Sequence, residues 1–275
     1  MAEIIELNNG IYARIVEGLT NSGIIVGNSE ILVIDSLRVP SHARDLIKDV
    51  KSISNKPIKY LIDTHSHWDH SWGNEEFIDT IIIGHENCYK EMTDENWNNK
   101  WKEKILNAND PWSKEAQLVN ITPPNLTFSN QMNLHFEDKQ IILKYFGKAH
   151  TSGDIFIHLV NENILFTGDV TQNKGIPFFG DSYPTDWLDT ASGIINVKPS
   201  IFVGGHGPIG NYQDMIESKT FVDEIINESI KLKSFSNKKD ENLIKDLSTK
   251  LKNKYQEWRK IDTVESSVLD ILSRL

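Results

Sequence analysis

The segment His65–His70, with the sequence HSHWDH, constrains this chain more than any other feature. Only Asp63 and Thr64 separate it from Ile58–Ile62, a run of the kind that forms a buried strand. Alternate residues of an extended segment point the same way, so its first two histidines can face one point in space. The turn after them can bring its aspartate and its third histidine to a second point nearby. Imidazole and carboxylate groups are preferred ligands of divalent first-row metals, so the segment predicts a metal site.

Three later segments each put a histidine or an aspartate just past the end of a predicted strand. They are Ala149-His150-Thr151-Ser152-Gly153-Asp154, Thr167-Gly168-Asp169 and Gly204-Gly205-His206-Gly207-Pro208. Glycines beside these residues let the backbone approach a ligand closely. The four histidines outside these segments and the first motif have no ligand pattern around them and are interpreted as structural: His42, His85, His135 and His158.

The composition is that of an ordinary globular protein. Of the 275 residues, 39% are hydrophobic and 25% charged, as in ordinary globular proteins. The formal net charge of -10 repels phosphate backbones, so we expect no nucleic-acid partner. No run approaches the ~20 apolar residues that span a bilayer, no targeting signal is visible, and the single cysteine excludes an internal disulfide. We therefore expect a cytoplasmic protein without a membrane partner. A small-molecule substrate and a monomeric or homodimeric state are further expectations.

The chain alternates between strands and helices in two rounds. Short β-branched runs separated by Asn- and Gly-rich turns fill its first third. A helix is predicted from Ser41 to about Lys51, and further strands lie between residues 126 and 167. This pattern indicates sheets packed on each other with helices outside.

The four motifs in this order, HxHxDH, HTxGD, GD and GHG, resemble those of the metallo-β-lactamase superfamily. The resemblance covers about residues 4–225. It implies an α+β fold, namely a four-layer αββα sandwich with a dinuclear metal site on one edge, here followed by an extra helical C-terminal region. The bridging Asp169 is similar to that of glyoxalase II and the lactonases, and the loop after it is similar to that of quinoprotein-relay-type zinc hydrolases.

The predicted domain boundary lies at residue 225. Residues 1–225 are expected to form the metallo-β-lactamase-fold domain, with a helical insert over about 86–120, and 226–275 to form C-terminal helices packed on it. Lys238–Lys239 and the lysines over 245–254 are expected on a solvated helix face. Three tryptophans lie in the insert, as a lid or as anchors: Trp97, Trp101 and Trp112. Large side chains recur every three or four positions in the last helices, as on a packed face: Leu243, Leu247, Leu251, Tyr255 and Trp258.

The resemblance also implies a role for seven residues. The ligands of the first metal correspond to His65, His67 and His150, those of the second to Asp69, His70 and His206, and the carboxylate bridging both to Asp169. The implied cofactors are two divalent metal ions, with zinc expected and iron or manganese as alternatives. The residues that bind the substrate are not assigned.

Hydrolysis is the expected chemistry. Two adjacent divalent cations make a bridging hydroxide available near neutral pH. Asp69 would orient that hydroxide as it attacks the carbonyl of an ester, thioester or lactone. Asp154 is expected to bond a ligand histidine or the adjacent turn, and Asp63 and Thr64 could do the same. Trp68 could line the pocket or pack beneath it, and Phe178 with Phe179 could form an apolar wall or simply pack.

Three other functions stay open on the sequence. Several true β-lactamases carry Cys or Ser at the position of Asp169, so β-lactam cleavage would be a promiscuous activity. A persulfide dioxygenase uses a single iron held by two histidines and one aspartate, which His65, His150 and Asp169 could supply. The complete ligand set argues against the third function, a non-enzymatic metal-binding or scaffold protein.

Overall fold

The computed structural model describes residues 2–235 and 240–275, so the predicted exposure of Lys238 and Lys239 lies outside the described residues. The strands of this part are β1 Glu3–Asn8, β2 Ile11–Ile15, β3 Ser22–Val26, β4 Ile31–Ile34, β5 Ile58–Ile62, β6 Ile81–His85, β7 Leu126–Phe128, β8 Gln131–Phe136, β9 Lys139–Tyr145, β10 Ile155–Leu159, β11 Ile164–Gly168 and β12 Ile201–Gly204. Its α-helices are α1 Pro40–Ile53, α2 Trp68–Ser71, α3 Glu86–Thr93, α4 Glu95–Ala108, α5 Ser113–Leu118, α6 Pro184–Ile195, α7 Tyr212–Phe235, α8 Glu241–Lys254 and α9 Val264–Arg274.

Two sheets form the centre of the molecule. The first has the order β1-β2-β3-β4-β5-β6-β7, and the second has the order β12-β11-β10-β9-β8. Apolar side chains from both sheets, among them Ile25 and Ile62 from the first and Ile157 and Phe166 from the second, form one buried cluster between them. Helix α1 packs on the outer face of the first sheet, and α6, α7 and α9 cover the second. The expected four-layer αββα sandwich of the α+β class, with C-terminal helices, is therefore confirmed.

Two parallel strand pairs position the candidate site. β4 pairs with β5 and β11 pairs with β12, each in parallel, so within each pair the carboxyl ends lie at the same edge. A bridge between Thr20 and His206 joins the two sheets at that edge. The segments that follow these strands therefore meet at one edge of the sandwich.

The insert between β6 and β7 contains three helices, α3, α4 and α5. It is divided at Asp94, whose carboxylate accepts hydrogen bonds from the backbone amides of Asn96, at 2.8 Å, and Trp97, at 3.3 Å. This side chain caps the first turn of α4, which is why a new helix begins there.

The C-terminal helices differ from the sequence prediction in one face residue. Leu243 is 41% exposed, and its neighbour Ile244 is buried with Leu247 and Leu251 instead. Helix α7 runs continuously through residue 225, where the sequence analysis placed the domain boundary. The division of the chain at that residue stays a prediction. Among the described residues, no helix is both long and apolar enough to cross a membrane.

Candidate metal centre

The seven predicted ligand residues lie together at the strand ends of both sheets. Their ligand atoms form three overlapping groups, each with all atoms within 4.8 Å of one another. The groups are His65, His67 and His150, here called the first cluster; Asp69, His70 and His206, here called the second cluster; and His65, His70 and Asp169. Asp169 is thus grouped with one histidine of each cluster, which is the place a bridging carboxylate would need.

In the first cluster, contacts outside the cluster hold two of the three imidazole rings. Nδ1 of His65 lies 3.0 Å from Oγ1 of Thr64, and Nδ1 of His150 lies 3.0 Å from the carbonyl oxygen of Phe178. This leaves the Nε2 atom of each ring for the centre. His67 is turned the other way, because its Nδ1 is 2.8 Å from Nε2 of His150. The first cluster therefore offers three nitrogens to one point.

The second cluster is held in the same manner. Asp35 Oδ2 lies 2.7 Å from Nδ1 of His70, and Nδ1 of His206 lies 3.0 Å from the carbonyl oxygen of Leu19. The opposite nitrogens face the carboxylates: His206 Nε2 is 3.1 Å from Asp69 Oδ2 and 3.3 Å from Asp169 Oδ2. His70 Nε2 is 3.4 Å from Asp169 Oδ1. One cation at this point would contact both imidazole nitrogens and carboxylate oxygens.

Buried atoms without partners show that the residues fit divalent metal ions. Within the described residues, His65 Nε2, His70 Nε2 and Asp169 Oδ1 are buried and have no hydrogen-bond partner. Leaving such atoms unpaired costs about 1–3 kcal/mol each, and a coordinated cation would satisfy them together. The backbone at Gly205 also leaves room for the Asp169 carboxylate, because a Cβ at this position would lie only 2.1 Å from Asp169 Oδ1. Glycine at 205 is therefore required by the ligand arrangement.

The charges of the centre separate into two kinds. Burial lowers the pKa of His65 and of His67 well below the usual value, and that of His150 as well, so the first cluster is a set of neutral donors. Burial acts in the same direction on His70, but the nearby carboxylates of Asp35, Asp69 and Asp169 outweigh it and raise the pKa of His70 well above its usual value.

The carboxylates respond in turn. Burial alone would raise their pKa values, yet the imidazoles of His70 and His206 bring the pKa of Asp69 and of Asp169 well below the usual value. Both are therefore ionised at neutral pH and can serve as anionic ligands.

Asp35 is a site residue that the sequence analysis missed. Besides His70, its carboxylate accepts hydrogen bonds from the backbone amide and the hydroxyl of Thr64, at 2.8 and 2.9 Å. The next two amides, of Ser36 and Leu37, donate to the carbonyl oxygen of His70. Asp35 and Leu37 have φ values of 60° and 72°, a conformation rarely adopted by non-glycine residues and often found at functional sites. The available signal was an aspartate directly after the apolar strand β4.

The supporting residues proposed on the sequence have different partners. Asp154 accepts hydrogen bonds from the amide of Thr151, at 2.9 Å, and from its hydroxyl, so it holds the turn after His150. Asp63 accepts from the side chain of Asn74 instead of contacting a ligand. Of the two possible supports beside the first motif, Thr64 alone contacts a ligand histidine.

The aromatic residues of the insert divide between two places. Trp97 is stacked on His67 at 6.1 Å with an interplanar angle of 9°, and the Trp101 ring is 4.8 Å from the same histidine. Trp112 lies beside His42, with ring centroids 5.5 Å apart. Phe178 is 6.1 Å from His67, whereas Phe179 is fully buried. Trp97, Trp101 and Phe178 thus form an aromatic wall at the first cluster.

Two cavities border the centre. A cavity of 770 Å³ beside the aromatic wall is lined by Phe178, Asp181, Lys100 and Lys104. A smaller cavity of 200 Å³ is lined by Thr20 and Arg38 among others. Thr20 donates a hydrogen bond of 2.9 Å to Asp69 Oδ2, so the smaller cavity borders the second cluster.

Comparison with known families and relatives agrees with this architecture. The family model of the Metallo-beta-lactamase superfamily matches residues 15–206. The chain is 23% identical over 202 residues to 2,4-dinitroanisole O-demethylase subunit alpha of Nocardioides sp. (strain JS1661), a match that covers 70% of this chain and 54% of that protein. It is 24% identical over 190 residues to Acyl-coenzyme A thioesterase MBLAC2 of Bos taurus, covering 64% of this chain and 67% of that protein.

Solved structures show the same fold. A metallo-beta-lactamase from Pontibacter korlensis superposes with a TM-score of 0.66 at 16% identity, covering 81% of this chain and 99% of that one. A metallo-beta-lactamase from Hirschia baltica gives a TM-score of 0.63 at 15% identity, covering 80% of this chain and 97% of that one. At these identities the superpositions support the fold and leave the reaction open.

Proposed function

Because the chain belongs to the metallo-beta-lactamase superfamily, we propose that it is a dinuclear zinc-dependent hydrolase of an ester, thioester or lactone. The first cluster would hold one metal ion, the second cluster the other, and Asp169 would bridge them. The observation that carries the proposal is the set of buried, unpartnered ligand atoms shared between the two clusters. A cytoplasmic location and a monomeric or homodimeric state stay predictions.

The metal ions, when bound, supply activated water near neutral pH and stabilise the negative charge that develops on the carbonyl oxygen. The protein supplies the orientation. Asp69 is ionised and is held by the hydroxyl of Thr20, so its carboxylate can accept a hydrogen bond from the attacking water and fix its direction. This is the catalytic role that we propose for Asp69.

The cavity beside the aromatic wall suits the body of the substrate. It has room for a group of drug-like size, with Phe178 on one side and lysine side chains on another. Phe178 also fixes His150 through its carbonyl oxygen, so the same residue borders the cavity and positions a ligand. The thioesterase among the relatives favours thioesters within the proposed substrate class.

Iron-dependent oxygenation of a persulfide is the second candidate function. One specific observation favours it: His65, His70 and Asp169 form a group of two histidines and one carboxylate, the donor set typical of non-haem iron oxygenases. His67, Asp69, His150 and His206 would then be spare ligands, and for that reason we rank oxygenation second. The trio expected from the sequence has His150 in place of His70.

The two functions can be separated by loading metal-free protein with zinc or with iron. Each form is tested with a panel of esters, thioesters and lactones and with glutathione persulfide. We expect cleavage by the zinc form, and its loss in His206→Ala, because that substitution removes a ligand of the second cluster alone. Oxygen uptake with persulfide by the iron form, without cleavage by the zinc form, would overturn the hydrolase proposal.

A further inference from the structure

Arg38 is a buried cation without a close ion pair among the described residues. Its side chain lies directly after the left-handed turn at Asp35–Leu37 and is 8% exposed. Within the described residues, its Nε atom has no hydrogen-bond partner. The carboxylate in ion-pair range is that of Asp69, whose Oδ2 is 3.9 Å from Nη2, beyond hydrogen-bond distance. A guanidinium carries five N–H donors and stays charged, so leaving it unpaired is costly.

Two indole rings hold the guanidinium in place. The Arg38 carbon Cζ is 5.5 Å from the centre of the Trp68 ring and 5.0 Å from that of Trp112. Such contacts stabilise a cation, but ring faces offer no acceptor to the in-plane N–H groups. The arrangement therefore orients Arg38 and leaves its donors available to a ligand.

The smaller cavity brings those donors next to the reaction centre. Two of its wall residues hold the second cluster: the carbonyl oxygen of Leu19 accepts from His206, and the hydroxyl of Thr20 donates to Asp69. Its other charged wall residues are already paired, since Arg14 contacts Asp49 at 2.7 Å and Asp45 contacts Lys48 at 2.9 Å. Arg38 is therefore the charge that this cavity presents to a ligand.

We propose that Arg38 binds an anionic group of the substrate in this cavity. The substrate is then an ester, thioester or lactone that carries a carboxylate, or an oxyanion of similar size, a few atoms from the scissile carbonyl. The cavity volume of 200 Å³ suits a short acidic chain. This inference rests on the proposed hydrolase function, and it predicts a preference within that substrate class.

A matched pair of esters tests the preference. Mono-4-nitrophenyl succinate and 4-nitrophenyl butyrate have the same leaving group and acyl length and differ by a carboxylate in place of a methyl group. We expect Arg38→Gln to raise KM about tenfold or more for the succinate ester, because a charge-assisted hydrogen bond is lost. KM for the butyrate ester should change less than about threefold. Arg44→Gln, at an exposed arginine of the same helix region, is the matched control.

A binding measurement keeps the inference separate from catalysis. Succinate is titrated calorimetrically into the zinc-loaded wild-type protein, Arg38→Gln, Arg38→Lys and Arg44→Gln. Any binding of the succinate carboxylate to zinc would be equal in all four proteins. We expect the succinate affinity to weaken about tenfold or more in Arg38→Gln and less in Arg38→Lys. This difference would isolate the contribution of the guanidinium. If neither ester is cleaved, the hydrolase proposal fails while this titration still decides the anion site.

Two results would overturn the inference. Equal succinate affinity in wild-type protein and Arg38→Gln would show that no anion binds there. A loss of kcat that is the same for both esters, with KM unchanged, would show that Arg38 only steadies Asp69. Should Arg38→Gln fail to fold, as judged by circular dichroism, Arg38→Met gives the same comparison, because its apolar chain packs between the two indoles without the charge.

Discussion

The carboxylate of Asp35 contacts the imidazole of His70 at 2.7 Å across 35 residues of chain. The same carboxylate accepts a hydrogen bond from the hydroxyl of Thr64, which in turn lies 3.0 Å from His65. One side chain at the end of β4 therefore orients a ligand in each cluster. We infer that Asp35 acts through the ligands, as a positioning residue.

Asp35→Ala is expected to weaken metal binding about 10- to 100-fold, since residues that orient metal ligands have effects of this size. Competition with a zinc chelator measures the affinity directly. Asp45→Ala, at an exposed aspartate of α1, serves as the control and should leave the affinity unchanged. An unaltered affinity in Asp35→Ala would show that His70 needs no support from this carboxylate.

Asp69→Ala is expected to lower kcat about a hundredfold or more while the fold persists. The substitution removes a ligand of the second cluster and the group proposed to orient the attacking water. The site lies at a sheet edge and outside the apolar cluster between the sheets, so circular dichroism and thermal unfolding of the metal-loaded protein should change little. Activity within about tenfold of wild type would contradict the role proposed for Asp69.

Zinc binding to the metal-free protein is expected to release protons. Although burial opposes it, Asp35 and the other carboxylates raise the pKa of His70, and Asp169 and Asp69 raise that of His206. The imidazole of His70 therefore carries an additional proton at neutral pH that a cation must displace, and the raised pKa of His206 acts in the same direction, so apparent zinc affinity should fall as pH falls. Calorimetry in two buffers of different ionisation enthalpy counts the protons, with about one to two expected. A heat independent of the buffer would refute the expectation.

Trp101→Ala is expected to destabilise the protein by about 3–5 kcal/mol, as for other buried large-to-small substitutions. Trp101 is 6% exposed and is packed in an apolar cluster with Val39 and Trp72, which lie in the segments after β4 and β5. Trp97→Ala should cost less, because Trp97 is only partly buried in the same cluster. Denaturant unfolding of both variants provides the comparison, and equal losses would mean that burial does not distinguish the two rings.

The fold and the grouping of the seven predicted ligand residues could be predicted because their signals are local. Alternating and β-branched runs mark the strands, and each predicted ligand sits in a short motif just after one of them. The helix face at Leu243 was wrong by one residue, because a 3.6-residue period allows either Leu243 or Ile244 and tertiary packing decides between them.

The supporting residues could not be predicted in the same way. Arg38 and Asp35 gain their importance from partners far along the chain, such as Trp112 and His70, and no spacing rule joins them. The carbonyl oxygens of Leu19 and Phe178, which hold His206 and His150, carry no side-chain signal at all. Only the assembled sandwich brings these groups together.

The insert of α3, α4 and α5 lies between β6 and β7, two neighbouring parallel strands, and contains none of the seven predicted ligands. Yet it supplies Trp97 and Trp101 to the wall at the first cluster. Mutations or length changes in this segment can therefore alter which molecules are accepted without disturbing the reactive groups. Selection can act on substrate range and on chemistry through separate stretches of the gene.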